Sequence, residues 1–133
     1  MYIDHCRAGW REGTSSAFAI AGAADGSVLG SIGMRHLTDV DDETSEIGYW
    51  VAREARGRGV ATRALRLVCR WAQDELGIPR LQLRADELNE PSQRVAENVG
   101  FVREGVMRSC RYNAHDGRRV DFVLYSLLPG ELK

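Results

Sequence analysis

Apolar and polar positions follow two different periods along this chain, and each change of period marks an element. "AFAIAG" (17–22) and "SVLGSIGMRHL" (27–37) read as strands, joined through "AADGS" by a hairpin turn centred on Asp25 and Gly26. "EIGYWVA" (46–52) is a third strand, with Ile47, Tyr49 and Val51 on one face and Gly48, Trp50 and Ala52 on the other. From Gly59 the period lengthens: Ala61, Ala64, Leu65, Val68, Trp71 and Ala72 fall on one helical face. That helix is expected to stop at "LGIP", with Gly77 as its C-cap and Pro79 beyond. "RLQLRAD" (80–86) is a strand. "NEPSQRVAENVGF" (89–101) is a short helix, with Pro91 in its first turn and Gly100 just past its end. "FVREGVMRSCRYN" (101–113) and "RVDFVLYSLL" (119–128) are long strands joined by "AHDGR", a second Asp-Gly hairpin.

Two segments lack a clear period. "YIDHCRAGWREG" (2–13) is charged and weakly periodic, and is expected to form a short helix ended by Gly13. "TDVDDETS" (38–45) reads as an acidic loop. The order helix, hairpin, strand, helix, strand, helix, hairpin predicts an α/β (α+β) domain. Its sheet is mixed and largely antiparallel, with helices beside it and a central parallel strand-helix-strand unit of right-handed crossover. One domain is expected over residues 1–133, long enough for a single core.

Charge changes this picture more than composition does. The net charge of −1 excludes the overall basic field of a nucleic-acid binder, so attraction for an anion must be local. Cys6, Cys69 and Cys110 show no CxxC or Cys/His spacing, and no metal-ligand spacing appears elsewhere. With no signal-peptide-like start, they read as reduced thiols of a cytoplasmic protein, Cys69 as a small buried hydrophobe. No apolar run approaches the roughly 20 residues of a membrane span.

The local charge lies at the mouth of the 59–72 helix. Arg53, Arg56, Arg58, Arg63 and Arg66 face one acid, Glu54, and surround Gly57 and Gly59. A helix start exposes free backbone N–H groups and the positive end of its dipole. Glycines before it let successive N–H groups curl toward one concavity, and guanidinium groups add forked donors. A specific anion site is favoured over a solvated basic helix start, with a phosphorylated cofactor the expected anion. The dinucleotide GxGxxG pattern lacks its third glycine here, and no GxxxxGK[ST] is present.

Arg56-Gly57-Arg58-Gly59-Val60-Ala61 resembles the Q/R-x-x-G-x-G/A acetyl-CoA signature of the GNAT N-acetyltransferases. "EIGYWVA" before it, "NEPSQRVAENVGFVREG" after it and "GRRVDFVLYSLL" further on are similar to the branch that acetylates protein N-termini, ribosomal proteins included. The resemblance covers roughly residues 15 to 128. It implies a GNAT-like fold and acetyl-CoA as acetyl donor. The diphosphate would sit on the N–H groups from Arg58 to Thr62, with Arg56, Gly57, Gly59, Val60 and Ala61 building the turn. The pantetheine arm would run along strand 46–52 like an added strand, beside Trp50, with a backbone N–H near Val51 donating to the thioester oxygen. Glu46 is the candidate base, through water, against the plain reading of a strand-end carboxylate. Ser92 holds the position of the group that serves the leaving sulfur in members without a tyrosine acid, against a helix-start cap. That tyrosine's place is Ala96 here. Asn89 would orient the pantetheine or cap its helix.

The resemblance also implies an acceptor: the α-amine of a peptide or protein N-terminus, or alternatively a small-molecule amine. A CoA-binding module without chemistry and, more weakly, an RNA-binding role for the arginines are the other classes. Neither a nucleic-acid nor a membrane partner is expected. Relatives carry an extra strand and helix ahead of this start. Strand 15–23 is therefore expected to be an edge, covered by a homodimer partner or by a helix over residues 2–12. His5, His36 and His115 are scattered, Trp10 and Trp71 read as packing, and Tyr125 reads as core rather than a reserve acid.

Overall fold

Two Asp-Gly turns fold the chain into hairpins where the sequence places them. The computed structural model describes residues 2–6, 15–22, 24–37 and 43–133. At the first turn Gly26 has φ +72°, and Asp25 accepts from the Ser27 N–H (3.0 Å) and hydroxyl (2.8 Å). At the second, Gly117 has φ +66° and its N–H donates to the Asn113 carbonyl at 2.9 Å. Both glycines occupy the left-handed region that side chains disfavour.

Strands β1 (Tyr2–Cys6), β2 (Ser15–Ala21), β3 (Val28–His36), β4 (Thr44–Val51), β5 (Arg80–Asp86), β6 (Val102–Asn113) and β7 (Arg118–Leu127) form one sheet, in the order β1-β2-β3-β4-β5-β7-β6. Every neighbouring pair is antiparallel except β4–β5, which is parallel. The mixed, largely antiparallel sheet with a central parallel strand-helix-strand unit is the predicted architecture. Helix α1 (Val60–Asp74) links β4 to β5, and helix α2 (Glu90–Val99) links β5 to β6.

One face of the sheet carries the core. Ile20, Ile32, Met34, Ile47, Leu81, Leu83, Val123, Tyr125 and Leu127 are buried there against Val60, Ala64, Leu65, Val68, Cys69 and Ala72 of α1. Each fully buried Leu or Val contributes about 1.5–3 kcal/mol. Val60 and Cys69 join the expected helical face, while Ala61 and Trp71 are half-buried at its edge. Trp71 meets Phe18 edge-on, with ring centroids 5.3 Å apart. Burial pushes the Cys69 thiol up to about 12, so it behaves as the inert hydrophobe expected.

Four expectations need correction. Residues 2–6 form a strand and not the start of a helix; β1 pairs with β2 from Tyr2↔Ala21 to Cys6↔Ala17. The unpaired backbone of β2 is satisfied by a neighbouring strand, which decides a segment whose own period is weak. Strand 15–23 is therefore not the sheet edge; the neighbour that covers it is a strand. Residues 7–14, with Trp10, and the acids Asp39, Asp41 and Asp42 lie outside the described residues. Thr44 and Ser45 belong to β4 and are buried, not part of an acidic loop; Ser45 Oγ lies 2.8 Å from His36 Nδ1. Helix α1 ends at Asp74 with Glu75 as its cap, and Gly77 (φ +63°) makes the turn two residues later.

Candidate active site

The site begins where two parallel strands part. β4 and β5 pair only through Thr44↔Arg80, Ser45↔Leu81 and Glu46↔Gln82. Beyond Glu46, β4 has no partner on that side, while β5 stays paired with β7 to Asp86↔Phe122. The direction of the β4 backbone groups follows from its other neighbour. Leu37 donates to Thr44 (2.8 Å) and Ala52 donates to Leu29 (2.7 Å), so the even-numbered positions spend their groups on β3. The pairing Glu46↔Gln82 spends the Ile47 N–H on β5, so the Ile47 C=O and the groups of Tyr49 and Val51 face the opening between β4 and β5. A Cβ at Gly30 would overlap the Trp50 carbonyl oxygen, so only glycine allows β3 to pass this close to the end of β4.

The same strand leads directly into the glycine turn. A single 3-10 turn (Arg53–Ala55) follows β4, with Ala55 buried. Gly57 (φ +76°) and Gly59 (φ +72°) are both left-handed, and Gly59 is the N-cap of α1. No side chain caps this helix, and its first turn holds no acid. The first helical bond runs from Arg63 N–H to the Gly59 carbonyl (3.1 Å), so the N–H groups of Gly59, Val60, Ala61 and Thr62 precede it and stay available. Two arginines brace the turn. Arg56 Nε donates to the Val51 carbonyl (3.1 Å), and Arg63 Nη1 donates to the Arg58 carbonyl (3.0 Å). The Arg58 side chain is left exposed beside the N–H cluster. Two left-handed glycines, four free N–H groups and the exposed Arg58 thus lie side by side at this helix start.

Across the opening lies the first turn of α2. Asn89 is its N-cap, accepting from the Ser92 N–H at 3.2 Å, and Pro91 stands in the first turn. Capping belongs to Asn89, which leaves the Ser92 hydroxyl for other work. That hydroxyl lies 2.9 Å from the Tyr49 phenol, whose oxygen is also 3.5 Å from the Ser92 carbonyl. Burial pushes the Tyr49 phenol up, against a smaller opposite effect of the Ser92 bond. Tyr49 entered the sequence reading only as a residue on the Ile47–Val51 face. A tyrosine on the core face of the strand that leads to the glycine turn is the signal that could have found it.

Glu46 occupies the other face of β4. Its side chain is 14% exposed, with Oε1 2.6 Å from Arg84 Nε and Oε2 3.8 Å from Arg35. Burial opposes the charge on Arg84, but the hydrogen bond and charge of Glu46 outweigh it and push Arg84 up. An open cleft of about 330 Å³ runs beside this carboxylate, lined by Ser16, Ala17, Gly33, Arg35 and Gly48. Trp50 is on this face too, 57% exposed, on the opposite side of β4 from Tyr49. Tyr125 is fully buried on β7 with its hydroxyl unpartnered, as the core reading expects. β4 thus separates a carboxylate beside an open cleft from a pair of half-buried hydroxyls on its other face. Among the described residues, no helix is long and apolar enough to cross a membrane.

Comparison with known proteins agrees with this geometry. Residues 1–102 match the family described as acetyltransferase (GNAT) domain. The chain is 40% identical over 107 residues to the Bacillus subtilis protein named "Putative ribosomal N-acetyltransferase YdaF", covering 80% of this chain and 57% of that protein. It is 31% identical over 87 residues to the Escherichia coli ribosomal-protein-serine acetyltransferase, covering 64% and 47%. The solved structure of Mycobacterium smegmatis RimJ in complex with CoA-disulfide superposes with a TM-score of 0.83 at 30% identity. That match covers 94% of this chain and 58% of the RimJ chain. The chain thus spans about half the length of the relatives it matches.

Proposed function

The chain belongs to the GNAT acetyltransferase family, and from that premise we propose that it carries the acetyl group of acetyl-CoA to a primary amine. The preferred acceptor is the α-amine of a peptide or protein N-terminus, attacking directly in a ternary complex. One observation carries the reading. Among the described strands β4 leaves β5 after Glu46, keeps the Tyr49 backbone groups and the Val51 N–H unpaired on that side, and runs straight into an uncapped, acid-free helix start. An extended amide arm ending in a diphosphate needs those two features in that order. The RimJ relative, solved with a CoA disulfide, supports the choice of ligand.

The residues divide the work. The N–H groups from Gly59 to Thr62 hold the diphosphate, with Arg58 and the αL backbone of Gly57 beside them. Ile47, Tyr49 and Val51 offer backbone partners to the pantetheine amides, and the Val51 N–H donates to the thioester oxygen as it gains charge. The amine enters from the opposite face, where Glu46 accepts its proton through water. Ser92 offers its hydroxyl to the departing sulfur. Donor and acceptor thus meet at one strand, which brings the amine beside the thioester carbonyl for direct attack.

Proton cost favours an α-amine. A free α-amino group has a pKa near 7.7–8.0 and a lysine near 10.4, so neutralising lysine costs roughly 3–4 kcal/mol more near neutral pH. Glu46 already holds an ion pair with Arg84 and is the one carboxylate lining the cleft among the described residues. A short peptide with a free N-terminus is therefore expected to be acetylated faster than the same peptide blocked there and carrying an internal lysine. The comparison is made at pH 7 to 7.5 with saturating acetyl-CoA, and mass spectrometry locates the modified nitrogen. Preferential labelling of the lysine overturns the acceptor assignment. Binding of CoA without turnover of any amine overturns the transferase reading in favour of a CoA-binding module.

A further inference from the structure

The Tyr49–Ser92 pair joins two elements far apart in sequence across the mouth of the opening, and its chemistry is asymmetric. Serine has one proton and two acceptor sites; tyrosine has one proton and can donate or accept. If Ser92 donated to Tyr49, its proton would be spent and nothing would remain for a leaving sulfur. If Tyr49 donates to Ser92, the serine proton is free to point into the opening. Among the described residues, Ser92 supplies the acceptors of the phenol, Oγ at 2.9 Å and the carbonyl oxygen at 3.5 Å. The Ser92 backbone N–H is itself held by Asn89 at 3.2 Å, which fixes the end of α2 from which the hydroxyl reaches Tyr49.

We propose that Tyr49 is a positioning residue which, by donating to Ser92 Oγ, turns the Ser92 hydroxyl into a fixed hydrogen-bond donor for the CoA sulfur. The inference rests on the acetyl-CoA reading above. Burial disfavours a phenolate, so Tyr49 acts by donation and keeps its proton. The neutral amine nitrogen bonds to the acetyl carbon, and as the tetrahedral intermediate collapses the carbon–sulfur bond breaks with its electron pair on sulfur, the thiolate leaving held by Ser92. Its proton arrives through solvent, matching the one the amine gave up on the Glu46 side.

The test uses CoA itself, which needs no acceptor. The thiol of bound CoA is titrated by thiolate absorbance in the wild-type protein, Tyr49→Phe, Ser92→Ala and the double variant. A donor to sulfur stabilises thiolate, so the wild type is expected to titrate lowest. Each single variant should raise the bound thiol's pKa by about one unit, a tenfold change in ionisation, and the double variant no further. In turnover, Tyr49→Phe should lower kcat about tenfold with the KM for acetyl-CoA within twofold, and add nothing in a Ser92→Ala background. CoA affinity by calorimetry, unchanged in Tyr49→Phe, confirms that the variant is folded. A Tyr49→Phe protein that titrates like wild type, or losses that multiply in the double variant, overturns the proposal. Lowered thiol pKa without acetylation of any amine would sink the transferase reading alone; acetylation with a silent Tyr49→Phe would sink the inference alone. Absence of CoA binding sinks both.

Discussion

Two helices begin within thirty-one residues of each other and are finished in opposite ways. Helix α2 starts on Asn89, whose side chain satisfies the Ser92 N–H, with Glu90 and Pro91 in its first turn. Helix α1 starts on a left-handed glycine with no side-chain cap and no acid in its first turn. A cap is worth about 1 kcal/mol, and an acid near the dipole another 0.3–1 kcal/mol. α1 forgoes both, although it carries much of the core, and it gathers arginines around the exposed N–H groups. The difference separates a helix start that is finished by its own chain from one that, on the function proposed above, is left for the CoA diphosphate.

Changing either terminus toward the other sharpens that contrast. The largest effect is expected from Gly59→Val. A β-branched residue at φ +72° is strained, and its Cβ comes within 3.2 Å of Arg63 Nη1. Closing this helix start should cost CoA affinity about 100-fold, the worth of two charge-assisted hydrogen bonds at about 1.5 kcal/mol each. Calorimetry checks it, and unchanged affinity would mean that the diphosphate sits elsewhere.

Next is Thr62→Glu, which gives α1 the first-turn acid that α2 already has. Two opposite shifts are expected: about 0.3–1 kcal/mol more helix stability, and CoA affinity about tenfold lower from the like charge. A thermal melt and a binding titration on the same sample read both signs. Weakened binding with no gain in stability would point to disrupted packing and not to the dipole.

The smallest effect is Asn89→Ala. It should cost about 1 kcal/mol of stability, seen as a lower urea midpoint at constant m. Binding of ADP, which carries a diphosphate and no pantetheine, should stay within about twofold because the capped terminus takes no phosphate. A large loss of ADP affinity would erase the distinction between the two helix starts.

How much of this was legible in the sequence depends on whether a feature is local. Gly57, Gly59 and the arginines state the glycine turn within a few residues, because left-handed turns and helix starts are local geometry. The parallel β4-α1-β5 unit and both hairpins were legible for the same reason, through period and turn residues. Long-range pairings were not. Tyr49 and Ser92 are 43 residues apart, and Glu46 and Arg84 are 38 apart. No spacing rule links either pair; only the sheet order places them together. β1 was misjudged because its partner decides its state. Thr44 and Ser45 were misjudged because small hydroxyl residues beside acids resemble a loop, while here strand pairing satisfies their backbone inside the core.

The central claim is that the N–H groups at the start of α1 and the unpaired edge of β4 together hold CoA. Amide chemical shifts of the labelled protein, followed through titrations with ADP and then with CoA, test it most directly. With ADP, the expected shifts are confined to the amides from Gly57 to Thr62, while Glu90 and the capped Ser92 stay in place. With CoA, the amides of Tyr49 and Val51 should move as well. Saturation with CoA while Gly57 to Thr62 remain unshifted would contradict the account.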